Sequence, residues 1–421
     1  MGLTLSDADL LRVRHRALGL DDARAADARG DADAGVRGSG DTETTGGGSA
    51  DGPARAQRVV SHLFALQGQD WRSSKWAVGV RAPGLTAADV TAALNSGRIV
   101  RSWPMRGTVH LVAAEDIGWM QQLTNPRVLA GAPKRRAFLG MSDAVLERAT
   151  EVSLAALAGG NSLDRNEIAE VWTEAGIDWQ PNWRYHLIWW LCQNGLTMFG
   201  PVPDATDGKA DPEPRLVLAS EWIPAPRRLA GDEALAEFAT RYVRGRGAVS
   251  RKDLASWALL PAAVASRALA LAVEGGALVE GRRDGISGTA GALWVDPAAL
   301  DAADVLAGSG GAGSPLAAPS AAGTGWQLLP AFDEHLLGFS DRSPQFDAAH
   351  LGELAPGKNG VFLATVVHDG RAVGTWRRDP KKRLVTATPF AGERIDAEAL
   401  APALAAWSAF AGDPAPELVV A

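Results

Sequence analysis

A single cysteine, Cys192, in 421 residues excludes an internal disulfide and any cysteine-based metal cluster. Long apolar runs are also missing. No stretch approaches the ~18 uninterrupted apolar residues that a membrane span needs, and Met1-Gly2-Leu3-Thr4-Leu5-Ser6 lacks the charged-then-apolar pattern of a secretory signal. A soluble cytoplasmic protein is expected, with no membrane partner. An excess of positive charge is lacking too, since the formal net charge is −7. Residues 21–52 carry eight acidic residues against three arginines, so −5 of that net lies in one segment and −2 in all the rest. Local basic runs then matter more than the total. They are Lys134-Arg135-Arg136, the stretch from Arg244 to Arg251, and Arg377-Arg378 with Lys381-Lys382-Arg383.

Residues 21–52 are rich in Gly, Ala and Asp with almost no large apolar residue, so the segment is expected to be disordered. It interrupts a helical pattern that begins near Ser6 and resumes at Ala54. The expectation is a loop extension inside a first unit spanning 1–141. Three units then share one order: three helices and a two-stranded hairpin. The first has its opening helix from near Ser6, helices over 54–66 and 87–96, and strands over 99–103 and 108–112. The second, 142–228, has helices over 142–157, 165–175 and 183–194 and strands over 197–200 and 215–219. The third, 229–306, has helices over 233–244, 251–259 and 261–273 and strands over 278–282 and 292–295. Helix–helix–helix–hairpin in series reads as tandem winged helices, a helix-turn-helix variant.

Residues 307–325 read as a Gly/Ala/Ser/Pro linker. Their Gly308-x-Gly310-x-x-Gly313 has no strand before it and no helix after it, so no nucleotide cofactor is expected. Beyond it, 361–368 and 371–376 alternate around Asp369-Gly370, a hairpin signal. A further strand over 384–388 and a helix over 397–410 complete a small, mostly β domain over 326–421.

Gln67-Gly68-Gln69 is the most informative short segment. A carboxamide cannot exchange a proton at neutral pH; it holds water and directs a dipole. The residues themselves allow two readings: a pair that caps backbone groups at a helix end, or a pair that serves one pocket, since positions two apart on an extended segment point the same way.

Leu63-Phe64-Ala65-Leu66-Gln67-Gly68-Gln69-Asp70, Pro83-Gly84-Leu85-Thr86 and Arg101-Ser102-Trp103-Pro104-Met105-Arg106-Gly107-Thr108-Val109-His110 resemble the AlkZ/YcaQ family of DNA glycosylases. So does the run from Leu329 to Arg342, with Asp333-Glu334-His335 at its centre. The resemblance implies an α+β protein of three tandem winged-helix units followed by a small C-terminal β-barrel, acting as a monomer. It implies a monofunctional glycosylase with Gln67 and Gln69 catalytic, and lesions that include bulky natural-product adducts and interstrand crosslinks. The family usually carries a larger residue where this chain has Gly68. Two amides suit hydrolysis of a nucleoside that is already cationic, such as an N7-alkylguanine, because its base leaves without protonation. The expected partner is double-stranded DNA with alkylated purines, near the nucleoid, with no metal or nucleotide cofactor. The alternative is a winged-helix DNA-binding regulator without catalysis.

The expected DNA contacts are Trp71, Arg106, His110, Arg136, Arg184, Arg251, Arg377, Arg378, Lys381 and Lys382. Each also has a structural reading: Arg106 as an organiser of its turn, His110 as a satisfied strand residue, the basic runs as solvated faces. Trp76 and Trp103 read as core. Asp333-Glu334-His335 reads as structural, because three adjacent residues cannot all face one site and no second His or Cys lies at ligand spacing.

Overall fold

The structure, a computed structural model, describes residues 2–21, 51–204, 212–300, 325–357 and 360–421. Most of the acidic insert, and the glycine-rich stretch with its Gly308-x-Gly310-x-x-Gly313, lie outside the described residues.

The chain opens with strand β1 (Leu3–Leu5) and helix α1 (Asp7–Ala17), then α2 (Gly52–Leu63), the short β2 (Leu66–Gln67), α3 (Trp71–Gly79) and α4 (Ala87–Asn95). A hairpin of β3 (Ile99–Met105) and β4 (Thr108–Ala113) follows. Helices α5 (Ile117–Leu129), α6 (Ala132–Leu139), α7 (Asp143–Leu157), α8 (Glu167–Glu174) and α9 (Arg184–Gln193) lead to β5 (Thr197–Phe199) and β6 (Leu216–Leu218). Then come α10 (Gly231–Arg244), β7 (Ala248–Val249), α11 (Arg251–Ala258), α12 (Ala262–Glu274), β8 (Val279–Arg283) and β9 (Ala292–Val295). The C-terminal part holds β10 (Trp326–Leu329), β11 (Thr365–His368), β12 (Arg371–Asp379), β13 (Leu384–Pro389), α13 (Ala397–Ala411) and β14 (Glu417–Val420).

Local chemistry sets several helix starts. Ser6, Thr86 and Ser250 each accept from the backbone N–H three residues on, and Asp9, Asp89 and Asp253 reach back to the cap's own N–H. Such reciprocal caps satisfy two orphan donors at once. Asp253 does more: its Oδ1 also accepts from the backbone N–H groups of Ser340 and Asp341, at 2.7 and 3.1 Å. The start of α11 is thereby tied to the turn after Leu329–Gly338.

Three sheets organise the fold. The first has the order β2-β4-β3-β5-β6, so the first two hairpins share one sheet through the antiparallel register Arg101↔Phe199. The second has the order β1-β8-β9-β7, with β1 parallel to β8. The N-terminal segment therefore differs from expectation: Leu5, Leu10, Val13 and Ala17 pack with Ala248, Leu293 and Val295 of the third hairpin's sheet. A local apolar period identifies α1 as a helix but carries no information about which sheet covers its face.

The third sheet runs β10-β11-β12-β13-β14 and is open where a barrel was expected. The added β14 lies parallel to β13, and α13 packs against both outer strands, β10 and β14. Leu400, Leu404, Trp407 and Phe410 of that helix are buried, so a helix fills the place of a closing strand. Its Phe410 ring also meets Trp76 of α3 at 5.1 Å, joining this part to the first sheet. The architecture is mixed α and β, and no single helix among the described residues is long and apolar enough to cross a membrane.

Candidate functional site

Gln67 reaches its position through a sharp break after α2. Phe64 takes φ +69° and ψ −47°, and the Ala65 N–H donates to the Leu63 carbonyl at 2.8 Å. This is a γ-turn of the strained, positive-φ kind, which persists only when its surroundings determine it. The Phe64 ring is held by Phe238 at 5.0 Å, Trp119 at 5.6 Å and Trp257 at 6.1 Å, with the Arg241 guanidinium 4.8 Å over its face. Arg246 Nη1 donates to the same Leu63 carbonyl at 3.0 Å. Arg246 in turn meets Glu334 at 2.5 Å, and both side chains are fully buried. Trp257 Nε1 donates to the same Glu334 oxygen at 2.9 Å. A buried ion pair and an aromatic box thus fix the angle at which the chain leaves α2.

Strand β2 then pairs antiparallel with β4, setting Leu66 opposite Leu111 and Gln67 opposite His110. The Gly68 N–H donates to Val109 O at 2.7 Å. A Cβ on Gly68 would come within 3.2 Å of the His110 carbonyl carbon and 3.3 Å of Leu111 N, so glycine lets this segment lie close on β4. Arg101 of β3 holds the next two carbonyls: its Nε donates to Gly68 O at 2.8 Å and its Nη2 to Gln69 O at 3.4 Å. Glu213 meets the remaining Nη1 at 2.9 Å. Asp70 then starts α3, accepting from the Ser73 N–H at 2.6 Å. The Gln-Gly-Gln segment is clamped on both sides.

Arg106 sits at the β3–β4 turn with φ +54° and folds back onto the pair Gln67–His110. Its Nη2 donates to Gln67 Oε1 at 3.3 Å and to His110 Nε2 at 3.0 Å. His110 Nδ1 donates to Thr108 O at 2.9 Å, which assigns the proton to Nδ1 and leaves Nε2 as the acceptor. Burial, reinforced by the Arg106 charge, holds the His110 imidazole well below its ordinary range. It is neutral. Because Arg106 occupies Oε1, the Gln67 amide presents its Nε2 donors. Gln67 is half-buried, whereas Gln69 is exposed, with no side-chain hydrogen bond among the described residues.

Of the expected site residues, the fold brings together Gln67, Arg106 and His110, with Gln69 two residues along the same segment. Trp71 does not display its ring: it is 4% exposed, with the Lys75 ammonium 5.1 Å over its face. Trp76 and Trp103 are buried as core. Arg136 pairs with Asp143 and lies over Trp190, Arg184 donates to Asn166 Oδ1, and Arg251 to Ser266 Oγ. Arg378 meets Asp413 at 2.7 Å. Arg377, Lys381 and Lys382 are exposed around the β12–β13 turn, and no side-chain partner occurs for them among the described residues. Asp333, Glu334 and His335 point three ways, to Arg81, to Arg246 and to the Gly370 carbonyl. No group of three or more metal-ligating side chains occurs among the described residues.

The sequence gives no sign that Arg101, Arg246 and Glu334 set this geometry. Arg101 lies in a strand that is buried throughout, and Arg246 and Glu334 are 88 residues apart; neither spacing nor periodicity links them.

The family described as DNA glycosylase AlkZ-like matches residues 60–410. The DNA glycosylase AlkZ of Streptomyces sahachiroi has a similar structure, with a TM-score of 0.71 over the whole of both chains at 18% identity. No curated protein matches the chain. With the family match extending from α2 to α13, the chain belongs to the AlkZ-like DNA glycosylases.

Proposed function

We propose that the enzyme hydrolyses the N-glycosidic bond of N-alkylated purines in double-stranded DNA, with Gln67 and Gln69 holding the attacking water. The observation that carries this is the grip of Arg106 on Gln67 Oε1 at 3.3 Å, which engages the amide oxygen and leaves its N–H groups to donate. Gln69, exposed beside it, supplies a carbonyl that accepts from the same water.

Alkylation at guanine N7 or adenine N3 puts a positive charge on the base. The C1′–N bond then breaks with its electron pair returning to the base, which departs neutral. Water oxygen bonds to C1′ of the oxocarbenium-like sugar and loses its proton to solvent, leaving an abasic site. No protein acid is needed. His110, neutral and fully buried, fits a role in holding Arg106 rather than in proton transfer. Orientation of water and dipole stabilisation together supply several kcal/mol of barrier reduction.

In this reading the three helix–hairpin units act as tandem winged helices on one duplex and the protein works as a monomer. Arg377, Lys381 and Lys382 face phosphate, with Arg136, Arg184 and Arg251 as further backbone contacts. Incubation with duplex DNA carrying one N7-methylguanine tests the substrate class. Free 7-methylguanine and an alkali-labile strand are expected, and unmodified duplex should release nothing. Equal release of unmodified guanine would refute the requirement for a cationic base.

A further inference from the structure

The tip of the β3–β4 hairpin has two sides. Arg106 turns toward Gln67 and His110, whereas Gly107, at φ +67°, faces Val128 and the Trp189 indole. On that second side lies a cavity of about 400 Å³, lined among others by Gly107, Val128, Arg135, Tyr185, His186 and Trp189. Nothing in the bond-breaking chemistry uses it.

Its walls combine an exposed aromatic ring, a stacked imidazole and a basic rim. Tyr185 is 55% exposed although large and aromatic. The His186 ring stacks on Trp189 at 5.2 Å, and its Nε2 is buried with no hydrogen-bond partner. An unpaired buried polar atom is costly. Burial and the charges of Arg136 and Arg135 lower this imidazole to about 4, so it is neutral at pH 7. Arg135 stands over the Phe138 ring at 5.2 Å and makes no ion pair among the described residues. A volume of this order suits a small planar group, and a basic rim beside exposed aromatic rings suits a nucleotide more than an acidic or aliphatic partner.

We propose that this cavity takes one nucleobase that has left the duplex stack, other than the base being excised. Tyr185 and Trp189 contact its faces, the neutral His186 ring backs Trp189 from below, and Arg135 receives the adjoining phosphate. The hairpin tip itself separates the two bases, since Arg106 faces one side and Gly107 the other. That this base is distinct from the one excised rests on Gln67 and Gln69 marking the cleavage point; the cavity's affinity for a base does not.

The test therefore uses undamaged DNA and reads binding alone. The full chain is titrated with a fluorescently labelled duplex, either fully paired or with a one-nucleotide bulge. We expect the bulged duplex to bind at least about fivefold tighter, the scale of one base–aromatic stack. Tyr185→Ala, at an exposed position, removes that preference and leaves paired-duplex affinity unchanged, while Tyr185→Phe keeps it. Equal affinity of the unsubstituted protein for both duplexes, or a full preference surviving in Tyr185→Ala, overturns the proposal. An enzyme that proved inactive on alkylated purines would leave either result readable.

Discussion

Arg106 Nη2 lies 3.3 Å from Gln67 Oε1 and 3.0 Å from His110 Nε2, so one guanidinium fixes a carboxamide on β2 and an imidazole on β4. A lysine ends about one bond short of Nη2 and carries a more strongly hydrated charge, so its ammonium does not reach this point between the two acceptors. Arg106→Lys should lower the single-turnover rate of base release roughly tenfold to a hundredfold, the scale of a small misplacement of a reacting group. Retention of the full rate would remove Arg106 from the account.

Arg101 acts one layer further back, through the carbonyls of Gly68 and Gln69. Arg101→Lys is expected to slow base release about tenfold while duplex affinity changes by less than about twofold. A large loss of affinity with an unchanged rate would make Arg101 a DNA contact instead.

The Glu334–Arg246 pair is fully buried, and removing one partner leaves a charge without compensation. Glu334→Ala should cost about 3–5 kcal/mol of unfolding free energy, and the joint change Glu334→Leu with Arg246→Met should recover much of it. Denaturant midpoints measure both. A Glu334→Ala protein as stable as the parent would mean that solvent reaches the pair.

Three histidines are neutral in the folded state and charge readily only when unfolded. Burial lowers His335 to about 4 and His186 to about 4, and holds His110 well below 6.5. Below the unfolded value of about 6.5 the unfolded chain binds protons that the folded chain refuses, so unfolding gains ground as pH falls. Stability is fully present above about pH 6.5 and declines toward pH 4. His335→Gln should flatten that decline even if it lowers Tm at pH 7. A Tm independent of pH between 6.5 and 4 contradicts this assignment.

Arg377, Lys381 and Lys382 project without side-chain partners among the described residues, while Arg378 is tied to Asp413. Alanine at each of the first three should reduce the slope of log affinity against log salt by about 1, and Arg378→Ala should change it less. Identical slopes for all four would place the DNA elsewhere.

The sequence showed several helix starts at which a cap declares itself locally. Ser250 with Asp253 marks α11, and Thr86 with Asp89 marks α4. It also showed Asp369-Gly370 as a hairpin and the resemblance that singles out Gln67 and Gln69. It did not show α3, whose only local sign is the cap at Asp70, nor the parallel pairing of β1 with β8. It did not show that α13 takes the place of a closing strand. Those are long-range pairings, and a local period carries no address for its partner. The same holds for the site. Gln67 is named by the motif, but the strained Phe64 turn, the Arg101 clamp and the Arg246–Glu334 anchor come from residues far apart in the chain.

The most direct test of water positioning by the glutamine pair is single-turnover release of 7-methylguanine by the parent enzyme, Gln67→Ala and Gln69→Ala, with duplex affinity measured in parallel. Each substitution should slow release by roughly 10²–10³, as loss of one preorganised dipole does elsewhere, with affinity for DNA retained. Release at the parental rate by both variants would contradict the account.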